Sequence, residues 1–180
     1  MKPLGQYRDI HSHRVEDALR GDTVVSVPPG THMDPQGTYS VGIHPWATES
    51  RIGLAELKQL VSDARRREVV AIGECGFDRL RGGDLDTQRR LFDFHARLAE
   101  QLSKPLVIHA VRADDLLLEA AKRHRPKPGM WIIHGYRGKP EAAEALLRAG
   151  LALSFGEKYN ADTMARTPSE RLYRESDAEN

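Results

Sequence analysis

The sequence predicts an alternating β/α chain that closes into a (β/α)8, or TIM, barrel whose last helix this chain does not supply. Eight short runs rich in β-branched residues recur along 180 residues, segments of helical period lie between them, and neither an interdomain linker nor a sequence repeat interrupts them. Eightfold alternation favours a closed barrel over an open doubly wound sheet, and the G-x-G-x-x-G turn of a dinucleotide fold is absent. Length points the other way, since such barrels usually run to about 250 residues.

The strand-like runs are YRDI (7–10), TVVSV (23–27), YSVGI (39–43), VVAIG (69–73), PLVIH (105–109), MWIIH (130–134), LALSF (151–155) and RLYRE (171–175). Leu54, Leu57, Val61 and Ala64 form one apolar stripe at helical spacing, and Leu91, Phe94, Leu98 and Leu102 form another. In KPEAAEALLRAG, Pro140 sits just inside a helix start and Gly150 just past its end. The stretch 28–38, PPGTHMDPQGT, carries too much Pro and Gly for a helix, so one crossover is expected to be a bare loop. The chain stops three residues after Asp177, which leaves no room for a helix after the eighth strand.

Composition bounds the function classes. With 39% hydrophobic and 29% charged residues the chain buries one core, so residues 1–180 are expected to form a single enzyme-sized domain. A net charge of +1 gives no global case for binding a polyanion, which would have to be gripped locally. MKPLGQYRDI has no signal-peptide core and no apolar run reaches membrane-span length, so a cytoplasmic protein with no membrane contact and no obligate protein partner is expected. Cys75 is the single cysteine, which excludes an internal disulfide and a cysteine-rich zinc site.

Six potential metal ligands lie mostly at or just after the carboxyl ends of these runs, the face on which barrel sites assemble: His11, His13, Glu74, His109, His134 and Asp177. His11 and His13 form an H-x-H pair at a strand end, spaced to hold one ion on one face. An H-x-H pair alone is weak, and any one such histidine is as well explained by burial with a hydrogen-bond partner. Four at strand ends favour ligation. Glu74 adds a carboxylate whose two oxygens can bridge two cations. Imidazole and carboxylate without thiolate suit zinc, manganese, iron or magnesium and do not choose among them.

These residues sit in DIHSH, GIHP (42–45), AIGECGFD (71–78), LAEQLSKPLVIHA, IIHGYRG (132–138), LSFGEKYN (153–160) and RESD (174–177). Seven motifs in this order resemble the TatD-type metal-dependent deoxyribonucleases of the amidohydrolase superfamily over nearly the whole chain. The resemblance implies a TIM barrel with two divalent ions, His11 and His13 on one, His109 and His134 on the other, Glu74 bridging, and Asp177 on the first. It implies hydrolysis of DNA phosphodiesters as the reaction. Asp177 is then placed to take the proton of the attacking water, so Asp177 and Glu74 are the candidate catalytic residues. The chain departs from the family's pattern at Arg79, where an aromatic residue is usual, and in HGYRG, where HCFSG is usual.

On the substrate side, His44 in GIHP resembles a pocket position of that family, and Arg112 and Lys158 follow strands where they can grip phosphates. Arg79 and Arg137 are read more simply as solvated loop charges. Asp78 is either a turn residue or a group that orients a metal ligand. Trp46 and Tyr136 can stack on bases, although ordinary packing explains each as well. Two other classes remain: a related barrel acting on an amide, ester or lactone, and a non-catalytic metal-stabilised scaffold. Relatives that join their metals through a carbamylated lysine place Lys on the fourth strand, where this chain has Glu74.

Overall fold

The computed structural model describes residues 3–178 and contains one parallel sheet of eight strands in the order β1 to β8. These are β1 (Asp9–Ser12), β2 (Thr23–Val27), β3 (Tyr39–Val41), β4 (Val69–Asp78), β5 (Leu106–Val111), β6 (Trp131–Ile133), β7 (Ala152–Phe155) and β8 (Leu172–Arg174). All eight predicted strands are present. β1 lies two residues later than its apolar run suggested, and β4 continues through Asp78, well beyond VVAIG. The helices are α1 (Leu54–Ala64), α2 (Leu85–Leu102), α3 (Asp114–His124), α4 (Pro140–Arg148) and α5 (Ala161–Arg166). No helix joins β2 to β3, as the Pro- and Gly-rich stretch predicted, and among the described residues none follows β8.

Strand alternation divides the interior into two cores. Val25, Tyr39, Val41, Leu106, Ile108, Trp131, Ile133, Leu153 and Phe155 point outward and pack beneath the helices. Their neighbours Ile10, Val24, Val107, Ile132 and Ala152 point inward and fill the lumen, over a floor made by Leu4, Tyr7 and Tyr173. The helix stripes sit slightly off their predicted faces. In α1, Leu54 is exposed and Leu60 is fully buried; in α2 the deepest residues are Phe92 and His95. His95 looks like a polar break in the stripe, yet its Nε2 accepts from Ile43 N–H at 2.9 Å and its Nδ1 meets Leu91 O at 2.8 Å.

The barrel is drawn shut beyond β8. Asp177 N–H donates to His11 O (3.0 Å) and His13 N–H donates to Ala178 O (2.7 Å), continuing a ladder with β1. Ser176 adds two bonds to the Asp9 carboxylate, from its N–H at 3.1 Å and its hydroxyl at 2.5 Å. Among the described residues no helix is long and apolar enough to cross a membrane.

Candidate metal centre

Alternation decides which side chains reach the mouth of the lumen. His109 lies two residues after lumen-facing Val107, His134 two after Ile132, and Glu175 two after Tyr173, so all three continue the inward row. Glu74 needs a local irregularity to join them. Between Ile72 and Cys75, β4 advances three residues while its partner β5 advances two, from Leu106 to Ile108, so a bulge sits under Glu74. Gly73 (φ +121°) and Gly76 (φ +150°) flank it; a Cβ on Gly73 would fall 2.2 Å from Val107 O, and one on Gly76 2.0 Å from His109 O. The glycines of AIGECGFD therefore let β4 press against β5 and bring Glu74 to His109.

The buried Glu74 carboxylate divides its neighbours between its two oxygens. Oε1 lies 2.8 Å from His109 Nδ1, 2.8 Å from His134 Nε2 and 3.0 Å from His44 Nε2. Oε2 lies 3.3 Å from His11 Nε2 and 3.6 Å from His13 Nε2, and both of these imidazoles lie within 3.8 Å of Asp177 Oδ1. Residues from β1, β4, β5, β6 and the segment after β8 thus converge, and all six sequence-predicted ligands are in the cluster. Donor atoms group closely enough to hold an ion in the sets His11–His13–Asp177, His11–Glu74–His134, His44–Glu74–His109 and His134–Glu175–Asp177.

The residues present fit a metal. His11 is fully buried, its Nδ1 has no hydrogen-bond partner and its Nε2 has only the 3.3 Å approach of Glu74 Oε2, a costly state for an imidazole unless a cation takes a lone pair. Burial alone would raise the Glu74 pKa, but the imidazoles of His134, His109 and His11 hold it below the ordinary carboxylate range and favour the charged carboxylate. At His134 burial opposes the charged form, and the carboxylates of Glu74 and Glu175 overcome it and raise the pKa. His13 is pushed down, by burial first and then by the neighbouring His11. An ion entering the cluster would displace the proton that His134 holds.

A second layer of acids orients the histidines. Asp78 Oδ2 lies 3.2 Å from His109 Nε2 and accepts from Trp46 Nε1 at 2.7 Å, while Oδ1 takes the N–H groups of Leu80 and Arg81. Asp78 therefore does both things the sequence left open. Glu175, which sequence reasoning passed over, accepts from Gly135 N–H at 2.7 Å and lies 3.4 Å from His134 Nδ1. The signal for it was its place two residues before Asp177, on the same face.

The substrate-side residues divide. His44 Nδ1 accepts from Trp46 N–H at 3.2 Å, which leaves the proton on Nε2 to donate to Glu74, so His44 belongs to the carboxylate's own shell in this arrangement. Arg112 and Arg137 line a cavity of about 700 Å3 beside His109 and His134. Lys158 is exposed after β7 and lines neither cavity at the centre. Arg79 makes a bidentate surface pair with Asp115, and Tyr136 is buried against Phe155, in line with the simpler readings of both.

A family model described as TatD related DNase matches residues 31–178, more than half of the chain. The chain belongs to the TatD family. A protein named "Uncharacterized metal-dependent hydrolase YjjV" from Escherichia coli (strain K12) is 32% identical over 151 residues, covering 77% of this chain and 57% of that protein. A protein named "3'-5' ssDNA/RNA exonuclease TatD" from Erwinia billingiae (strain Eb661) is 32% identical over 153 residues, covering 77% and 56%. This TatD-family chain thus spans a little over half the length of these curated relatives. The crystal structure of YjjV from E. coli K12 superposes with a TM-score of 0.79 at 24% identity, over 97% of this chain and 80% of that one, and establishes the shared barrel. A TatD family hydrolase from Entamoeba histolytica superposes at 0.73 with 19% identity, over 96% and 73%.

Proposed function

We propose that the chain is a metal-dependent phosphodiesterase that cleaves DNA, single-stranded DNA foremost, at a centre holding two divalent ions. The observation that carries this reading is the division of Glu74 between two sets of donors, with His109 and His134 on Oε1 and His11, His13 and Asp177 on the side of Oε2. Two divalent cations held there supply Lewis-acid activation of water and of the phosphoryl oxygens, and neutralise the leaving alkoxide. Glu74 fixes the spacing of the two donor sets, and its buried charge offsets part of the cationic charge. Asp78 and Glu175 hold the ring planes of His109 and His134 toward it. Asp177 Oδ1 accepts the proton of the attacking water, since its side chain, 39% exposed, meets both solvent and the His11–His13 pair. Arg112 and Arg137 receive the substrate's phosphates. The 3'-5' ssDNA/RNA exonuclease name of the Erwinia relative supports a nucleic-acid substrate, and a cytoplasmic location belongs to the same reading.

Metal analysis of the purified protein and an assay on single-stranded DNA test it. Two equivalents of divalent metal and metal-dependent cleavage are expected. Two bound ions with no turnover of single-stranded DNA, and hydrolysis of a lactone or amide instead, overturn it in favour of the other barrel hydrolases.

A further inference from the structure

The metal centre lies between two recesses of opposite character. One opens beside the ends of β5 and β6 and is lined by charged residues, Arg112 and Arg137 together with Asp114 and Asp115. The other, about 850 Å3, opens beside β2 and β3 on the far side of β4, and its lining contains no Lys or Arg. Apart from the residues of the centre, its walls are mainly Val27, Pro28, Pro29, Ile43, Trp46 and Ala55. Both recesses reach His109, His134 and Asp177. A phosphodiester seated at the centre has two substituents, and each recess can take one.

We infer that the β2–β3 recess is a pocket for the terminal nucleoside of a nucleic-acid strand, read by its base, while the remaining phosphates run across Arg112 and Arg137. This deepens the proposed function and rests on it. Away from the centre, walls with no Lys or Arg, mainly apolar and with the Glu56 carboxylate as their one charged group, disfavour a phosphate and favour a flat uncharged group, and the volume lies in the range of ordinary ligand pockets. Trp46 is the stacking platform. It is 40% exposed despite its size, and three contacts hold its ring: the Nε1 bond to Asp78, the edge contact with His44 (4.7 Å between centroids), and the Arg81 guanidinium 4.0 Å over the indole. An aromatic side chain left this open, and tied through Asp78 to His109, loses little freedom when a base lies on it. At the hydrogen-bonding rim, Ser26 and Gln59 line the same recess and can meet base edges.

The test compares a short single-stranded oligonucleotide with the same strand lacking only its terminal base, the abasic residue placed at the end from which cleavage proceeds, or at each end in turn for binding. Removing the base is expected to lower kcat/KM and to raise Kd by about tenfold, the scale of one base–aromatic stack. In Trp46→Ala the ratio between the two strands should collapse toward one. Trp46→Phe keeps a ring without the Asp78 bond and should retain most of the ratio, and Tyr159→Ala, an exposed aromatic outside the recess, should leave it unchanged. Equal cleavage and binding of the two strands by the native protein, or an unchanged ratio in Trp46→Ala, overturns the pocket while leaving the nuclease reading intact. Failure to cleave any strand overturns the nuclease reading, and the Kd ratio still decides the pocket.

Discussion

The two carboxylates at the centre arrive by opposite routes. Glu74 rides in the middle of β4, paired on both sides by strands, 5% exposed and pressed into place by the close approach of Gly73 and Gly76 to β5. Asp177 lies beyond β8 with a left-handed backbone (φ 48°), and its position depends on bonds to His11, and on those of its neighbours to Asp9 and His13. Sheet ladders make the first rigid; a strap makes the second adjustable. The group proposed only to hold charge is immobilised, and the group proposed to take and release a proton faces solvent. The strap anchors this segment to β1.

The sharpest way to break the comparison is Glu74→Gln. It removes the charge that both donor sets share, so the bound metal should fall to one equivalent or fewer and DNA cleavage should drop below detection, with circular dichroism unchanged. Retention of two equivalents would sink the bridging assignment. Asp177→Asn should behave differently: metal bound more weakly but still present, and turnover lower by roughly 10²- to 10⁴-fold, the usual contribution of a positioned proton acceptor. Full activity in that variant would refute the role.

Acid should loosen the strand-built side through His95, which supports the backbone next to His44. Burial lowers its pKa from 6.5 to about 4. Between those values the unfolded chain binds a proton that the folded one refuses, so the stability is fully present above pH 6.5 and is lost as pH falls toward 4. At pH 5 the loss amounts to about 2 kcal/mol. His95→Gln, which keeps an acceptor for Ile43 N–H, should flatten this slope in denaturant titrations at pH 7 and 5; an identical slope would place the titration elsewhere. Smallest is Asp9→Ala, which unhooks Ser176. A loss of about 1 kcal/mol in stability is expected, with faster amide exchange at Asp177 and a several-fold fall in turnover. Unaltered exchange there would show that the ladder alone holds the strap.

Legibility in the sequence followed the same division. Residues whose placement is set by strand alternation could be read directly: Val107 and Ile132 announce where His109 and His134 point. The bulge under Glu74 could not be read, because a two-against-three register exists only between strands. His95 was hidden for a related reason, its partner Ile43 lying 52 positions away. Glu175 was in reach by period-two spacing from Asp177, but RLYRESD is so charged that its inward face is masked. Lys158 shows the limit of reasoning from strand ends, since following a strand does not make a side chain turn inward.

The bond between Ser176 and Asp9 spans 167 positions. Every β/α unit lies inside that loop, so partial opening anywhere along the sheet shifts the two ends relative to one another. Turnover in this fold should thus act as an integrity gauge. Mild heat or denaturant is expected to silence the centre before helical signal is lost, because geometry at Asp177 is the sum of every strand-to-strand step around the ring.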